Sequence, residues 1–370
     1  MIHRIRIQNY KSLRDVTVEM SPVTVFIGRS GTGKTNFVSA IRFLRDYLAL
    51  GATVELSQQF AACKCATHAA GAMEFEVEFD VPGFPFQFVY TLRLGERGLL
   101  ETPRIESLTY GTEIIFSQVR SDQKGPQWEK QPSLVSPPEP GPAALGRLPG
   151  LEEVVVAYTA LTAGIGVYAF PYGVLTMAGG SRRAPGLADD GRNFLDVASG
   201  LHNVAVRKGI TAALRQINST VISVELDSIR QPQTVFIGHR LGDKMLTLEL
   251  RQESEGFRRF YVHLLALYQT PPKQTLVFEE PENGIFPGAL SLLADEFKEA
   301  PAAGRGQVLL TTHSPSLLDH FSADQIRVVE LVDLETRIGP LAEEQKESLA
   351  EELLHPGELL TVDLARGQSE

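Results

Sequence analysis

Three observations predict an α/β fold with a mostly parallel core sheet, an inserted antiparallel β lobe and a helical subdomain. A short β-branched run, Val23 to Ile27 ("VTVFI"), leads through a glycine-rich loop into an amphipathic stretch. Alternating apolar and polar residues fill 73–118. From Leu276 onward strand and helix patterns take turns, the rhythm of a parallel sheet.

The elements follow in order. Residues 2–7 alternate, with Ile5 and Ile7 on one face and Arg4 and Arg6 on the other, as a strand does. The run 23–27 is apolar throughout, as in a strand buried on both faces. From Lys34 the period changes: Phe37, Ile41, Leu44 and Leu48 line one face of a helix that Gly51 can stop. The segments "MEFEVEFDV", "FQFVYTLRL", "IESLTYG" and "EIIFSQV" read as an antiparallel meander. Residues 131–150 carry six prolines and three glycines and read as a surface excursion. Residues 151–220 are mostly helical in pattern, with a glycine-rich break at 179–191, and strands return near 221–250. Then come strand "TLVF", helix "GALSLLADEFKEA", strand "QVLLTT", helix "SPSLLDHF", strand "IRVVEL" and a charged helix near 341–354. The expected units are 1–55, 56–150, 151–220, 221–340 and 341–370. No fixed-period repeat and no sustained heptads appear.

Composition narrows the function classes. The chain has 370 residues, 43% hydrophobic and 22% charged, ordinary for a globular protein. No window approaches the roughly 18 apolar residues of a membrane span, and the first residues lack the apolar centre of a signal peptide, so the expected compartment is the cytoplasm. Cys63 and Cys65 fit free thiols on a mobile loop; with His68 they make three closely spaced metal-ligand types without a fourth. The formal net charge of −10 excludes a surface that is basic all over. Local basic groups remain at Arg4, Arg6, Lys11 and Arg14, at Arg182-Arg183 and at Arg258-Arg259, where solvated faces are the simpler reading.

The glycine-rich loop carries chemistry. "GRSGTGKT", Gly28 to Thr35, matches G-x-x-x-x-G-K-[ST] between a buried strand and a helix, the context the motif needs. Its glycines let backbone N–H groups turn inward on phosphate oxygens, and the helix N-terminus adds positive partial charge. Gly28, Arg29, Ser30, Gly31, Thr32, Gly33, Lys34, Thr35 and Asn36 are therefore the candidate nucleotide contacts. Lys34 would reach the β- and γ-phosphates and the Thr35 hydroxyl would bind Mg²⁺. The strand "TLVFEEPE" ends in two adjacent carboxylates that point in different directions. Glu279 suits the metal side, and Glu280 suits a base that polarises the attacking water. After "VLLTTHSPSLLD", His313 lies at the tip of the next strand, where it can donate to a γ-phosphate.

Together "IRIQNYKSLRDVTVEMSPVTVFIGRSGTGKTNFVSAIRFL", "VFEEPENGIFP" and "LLTTHSPSLLD" resemble the ABC-type ATPases of the SMC, RecF and OLD-like group, over about residues 1–50 and 250–330. "DDGRNFLDVASGL" resembles a segment of the stand-alone members. The resemblance implies a P-loop ABC-ATPase head that uses ATP and Mg²⁺. It also implies a composite site, in which a Ser-x-Gly signature from a second protomer closes over the γ-phosphate. "ESEGFRRF" stands where that signature belongs, so Ser254 and Gly256 are its candidates, with a helix starting near Phe257. The sequence departs from the family at Glu253, whose charge would repel a triphosphate, at Phe257, at Glu279 where Asp is common and at Phe286 where His is common. Gln58 and Gln59 are the candidates for the coupling glutamine.

The resemblance further implies a head-to-head homodimer formed on ATP, with slow or partner-stimulated hydrolysis. It would gate DNA or an effector protein in DNA repair or antiviral defence. The alternative is a scaffold that holds a nuclease or toxin from a neighbouring gene without touching DNA. OLD-type nucleases carry a nuclease domain after the His switch, whereas 57 residues follow His313 here, which predicts no nuclease activity in this chain. A ring-forming AAA+ motor is a third reading, opposed by the placement of the Ser-x-Gly and His elements.

Overall fold

The computed structural model describes the chain except residues 51–52, 54–55, 57, 59, 61, 66, 69–70, 96–104, 122–124, 131–151, 174–185, 228–233 and 369–370. The expectations for Gly51, Gln59, the proline-rich stretch and Arg182-Arg183 lie outside the described residues.

The first part of the chain forms β1 (Ile2–Tyr10), β2 (Leu13–Glu19), β3 (Val23–Ile27), α1 (Lys34–Leu50) and the strands β4 (Met73–Phe79), β5 (Phe88–Leu94), β6 (Ile105–Tyr110), β7 (Glu113–Ser121) and β8 (Gly125–Lys130). Next come α2 (Glu152–Leu161), β9 (Ile165–Tyr168), α3 (Phe194–Ser199), α4 (Val204–Ile217), β10 (Val221–Asp227), β11 (Thr234–Leu241) and β12 (Lys244–Glu249). The last part holds α5 (Glu255–Tyr268), β13 (Thr275–Glu279), α6 (Leu290–Ala302), β14 (Gln307–Thr311), α7 (Pro315–Leu318), β15 (Ile326–Val332), β16 (Glu335–Pro340) and α8 (Glu343–Ala350).

The core sheet has the order β16-β15-β3-β14-β13-β9 and is parallel except for β16. Strands β3, β14, β13 and β9 are buried along nearly their whole length because both faces of this part of the sheet are covered. Phe26, Val277 and Leu309 point into one hydrophobic core, shared with α1 and the antiparallel sheet. Val25, Ile27, Leu276, Phe278, Val308 and Leu310 point into a second core, shared with α5 and α6. The period of two along each strand thus divides the molecule into two cores.

The antiparallel sheet runs β2-β1-β4-β5-β6-β7-β8, so the meander read from 73–118 continues the N-terminal hairpin. In β4 the residues Met73, Phe75, Val77 and Phe79 are buried while the intervening glutamates face outward. Two of those glutamates face arginines: Arg4 stands opposite Glu78 and Arg6 opposite Glu76. The three N-terminal arginines are paired with carboxylates, whereas Lys11 donates to the Ser39 hydroxyl at 2.9 Å. Arg4 pairs with Glu76 and Glu78, Arg6 makes a bidentate pair with Asp15 at 2.9 and 2.7 Å, and Arg14 reaches Glu335 at 3.0 Å.

Besides β2 and β8, which the sequence pattern did not single out, two elements of the core sheet were not separated by it. The four-residue strand β9 sits inside the stretch read as helical, yet forms the edge of the core sheet beside β13. β16 folds back on β15 and braces the glycine-rich loop. The cysteines also correct an expectation: Cys63 and Cys65 are both buried, and the Cys63 thiol lies 3.4 Å from the Tyr10 hydroxyl.

Candidate functional site

The loop after β3 is shaped by residues that only glycine can satisfy. Gly28, Gly31 and Gly33 have φ of 154°, 81° and 109°. A Cβ on Gly28 would lie 2.1 Å from the Val329 carbonyl oxygen, and one on Gly33 would lie 2.1 Å from the Thr336 hydroxyl. The loop is also tied from outside. Thr336 Oγ1 donates to the Thr32 carbonyl at 2.8 Å, Thr336 meets Ser12 at 2.6 Å, and Asn36 donates to Ser12 at 2.8 Å. Lys34 is buried, and its ammonium donates to the carbonyls of Gly28 and Arg29 at 2.8 and 2.9 Å. Burial pushes its pKa down, partly offset by the charges of Glu280 and Glu282.

β13 and β14 end together at this loop, with Glu279 in register with Thr311. Immediately beyond, Glu280 takes φ 46°, unusual for a residue with a side chain and held by its own N–H donating to Thr311 O at 3.1 Å. Asn283 Nδ2 donates to Glu280 Oε2 at 2.8 Å, and His313 Nε2 stands 3.7 Å from Glu280 Oε1.

A cavity of about 220 Å³ unites these groups. Its walls are Ser30, Gly31, Gly33, Lys34, Thr35 and Asn36 on one side, and Glu280, Thr311 and His313 on the other. Gly28, Arg29 and Thr32 line an adjoining open cavity of about 710 Å³, which shares Ser30, Gly31 and His313 and is walled by residues 329–331 of β15 and by Leu359, Leu360 and residues 362–366 of the C-terminal segment. That segment was missed as part of the site; nothing in its composition marks it. Glu279 lines neither cavity, and neither does exposed Gln58.

Mg²⁺ takes few protein ligands when substrate phosphates complete its shell. The described residues hold no cluster of three or more His, Cys, Asp or Glu able to cage a metal. Thr35 is exposed at the cavity wall, which suits the sparse protein ligation Mg²⁺ prefers.

Ser254 and Gly256 lie elsewhere. Ser254 is the N-cap of α5, its hydroxyl accepting from Phe257 N at 3.3 Å, so the helix begins at Glu255, two residues before the sequence placed it. Phe260, Leu264 and Leu267 are buried along its inner face. Gly256 lets that first turn approach the loop after the acid strand: a Cβ there would come 3.2 Å from Gly284 O. Glu253 does not face the helix start. Its carboxylate meets His239 Nε2 at 2.7 Å with both side chains buried, and His239 Nδ1 lies 2.9 Å from Thr220 Oγ1. The Glu253 carboxylate thus has a hydrogen-bond partner within its own chain.

The Arg258-Arg259 pair is also internal in its bonding. Both guanidinium groups bond Glu255, at 2.5 and 3.0 Å. Burial raises the Glu255 pKa, but the two arginines outweigh it and hold the carboxyl below its ordinary value. Arg259 also donates to the carbonyls of Phe170 and Asn283.

Sequence reasoning also missed Thr311, which lines the smaller cavity, Asn283, which donates to Glu280, and Glu282. Glu282 accepts from Thr312 Oγ1 and from His313 N, both at 2.8 Å. The third glutamate of "EEPE" was the available signal.

Comparisons with known proteins agree with this architecture. A family model described as "AAA ATPase domain" matches residues 1–79, and one described as "AAA domain, putative AbiEii toxin, Type IV TA system" matches residues 180–319. No curated protein matches the sequence. Among solved structures, an SMC head bound to the C-winged helix domain of ScpA aligns over 94% of this chain and 99% of its own, with TM-score 0.58 and 13% identity. The SMC head with an extended coiled coil, bound to the C-terminal domain of ScpA, from Pyrococcus furiosus aligns over 95% and 99%, with TM-score 0.57 and 12% identity. The SMC head with a coiled coil and joint from Pyrococcus yayanosii aligns over 95% and 99%, with TM-score 0.51 and 12% identity. At such identities the likeness is one of fold.

Proposed function

We propose that the chain, which has the fold of SMC heads and matches AAA-type family models over residues 1–79 and 180–319, is an SMC/RecF-like ABC-type ATPase that binds ATP with Mg²⁺, pairs head to head on it and hydrolyses it to ADP and phosphate. One observation carries the reading. A single cavity unites the glycine-rich loop with Glu280 and His313, while Ser254 and Gly256 lie outside it on a capped helix start. This separation supports a composite site, in which a second copy would bring the half that the cavity of one chain lacks.

In this reading the loop N–H groups and Lys34 hold the phosphates and Thr35 serves the metal; Glu279, at the end of β13 but outside both cavities, is the proposed second metal ligand. Glu280 accepts a proton from the attacking water, and His313 donates to the γ-phosphate. The partner's Ser254 and the N-terminus of its α5 would cover the same phosphate. Closure is a population shift whose size is set by how much more tightly ATP binds the paired state.

The output of closure goes to a partner protein, a nuclease or toxin encoded next door. Two observations favour this over direct DNA contact: the family description that includes a toxin system, and the pairing of Arg4, Arg6 and Arg14 with carboxylates. Duplex binding at low salt that requires ATP would reverse that preference.

Subunit mixing tests the composite site. Lys34→Ala chains lack a working loop and Ser254→Arg chains lack a working signature, so each alone should be inactive. Mixed, they form heterodimers with one complete site, and phosphate release should return. Mixtures as inactive as their components would refute a site shared between copies.

A further inference from the structure

We propose that Glu282 is a positioning residue: its carboxylate clamps the turn at Thr312 and His313 to the loop after β13, holding the His313 ring opposite Glu280. The kinetic consequence rests on the proposed ATP hydrolysis; the geometry does not.

The His313 ring is poorly fixed by its own contacts. Its side chain is 36% exposed, and its near polar neighbour is the Glu280 carboxylate at 3.7 Å, too far for a firm hydrogen bond. The ring's direction must therefore come from the backbone that carries it, and Glu282 grips that backbone. One oxygen, Oε1, takes both the His313 N–H and the Thr312 hydroxyl at 2.8 Å. The Thr312 hydroxyl in turn accepts from Ser314 N at 3.0 Å, and Ser314 caps α7 through Leu317 N at 3.2 Å. The turn is thus held at one end by Glu282 and at the other by a helix cap. Thr312 itself is fully buried, so its hydroxyl has no recourse to solvent if the carboxylate is removed.

The same loop sets Glu280. Asn283, one residue beyond Glu282, donates to Glu280 Oε2 at 2.8 Å, and Glu280 N donates to Thr311 O at 3.1 Å. The base and the γ-phosphate donor are therefore carried by two loops that Glu282 joins. The site retains this carboxylate at a cost: its Oε2 is buried without a hydrogen-bond partner, and it sits beside a second carboxylate, Glu280.

Three measurements on the full chain test this. Glu282→Ala should lower kcat about tenfold, as small misplacements of reacting groups do, with the Kd of a fluorescent ATP analogue changed less than about twofold. Glu282→Gln keeps an acceptor oxygen and should retain most of kcat. By NMR of histidine-labelled protein, Glu280→Gln should move the His313 ring resonances in the otherwise wild-type chain and should move them far less when combined with Glu282→Ala. If Glu282→Ala does not fold, Thr312→Val removes one of the two donors and should weaken that coupling in the same direction. Unchanged coupling in either variant overturns the proposal, as does Glu282→Gln losing as much kcat as Glu282→Ala. If the wild-type chain hydrolyses no ATP, the functional reading fails, and the NMR coupling alone decides the role of Glu282.

Discussion

The cavity at Lys34 and the helix start at Ser254 are built on different principles. The cavity is made where β3, β13 and β14 end together, and each strand delivers one chemical group to a common edge. The helix start has no such convergence. It is locked from behind, by the buried Glu253–His239 pair and by Arg259, which ties Glu255 to the loop at Asn283. The first region can bind a ligand with what one chain supplies. The second is rigid and capped but lies outside the cavity of its own chain, the form expected of a surface that serves another molecule.

Loss of the base in the cavity should abolish hydrolysis and leave ATP binding and pairing intact or enhanced, whereas changes at the helix start should abolish pairing, and hydrolysis with it, while the single chain keeps its affinity for ATP. The largest effect is expected from Glu280→Gln, which should slow phosphate release by about 10²- to 10⁴-fold while ATP binding persists in an equilibrium titration. Lys34→Ala removes a charge-assisted phosphate contact and should weaken ATP binding by about 10- to 100-fold. Ser254→Arg should leave that binding within about twofold of wild type, because Ser254 lies outside its own cavity, yet should lower ATP-dependent pairing at least about tenfold through a charge and bulk placed at the interface. Weakened ATP binding to a lone Ser254→Arg chain would break the distinction.

His239→Ala strands the buried Glu253 carboxylate and should destabilise the chain by about 1–3 kcal/mol, read as a fall in the urea midpoint. Pairing should weaken with it while the isolated chain keeps its affinity for ATP. The smallest effect is a pH dependence. Burial, helped by the charge of Glu280, holds the Glu282 carboxyl above its ordinary value. The fold therefore favours its protonated form. That contribution is complete below the ordinary carboxyl pKa of about 4.3 and is lost as pH rises through the raised value. Glu282→Gln is neutral throughout, so its stability relative to wild type should increase as pH rises over that window.

Much of the cavity was legible because its chemistry is written in contiguous residues. "GRSGTGKT", "VFEEPE" and "LLTTHS" each combine a strand with the group at its end, so local pattern also fixes position on the sheet. The parallel order of the last strands was equally plain from their alternation with helices. Glu282 was harder to see, since its role depends on Thr312 and His313, thirty residues away. The environment of Glu253 was hidden for the same reason: its partner, His239, lies on another element and has no sequence signal. β9 was obscured by length, as four residues between helices offer too short a period to register. The C-terminal wall of the larger cavity carries no motif at all, only a chain path.

The central claim is that two copies of this chain complete each other's site on ATP. Light scattering on the Glu280→Gln chain with and without saturating ATP and Mg²⁺ tests it most directly. Blocked hydrolysis should trap the closed form, and the mass should rise from that of the 40.6 kDa chain to about twice it. A mass that stays at 40.6 kDa while ATP is bound would contradict it.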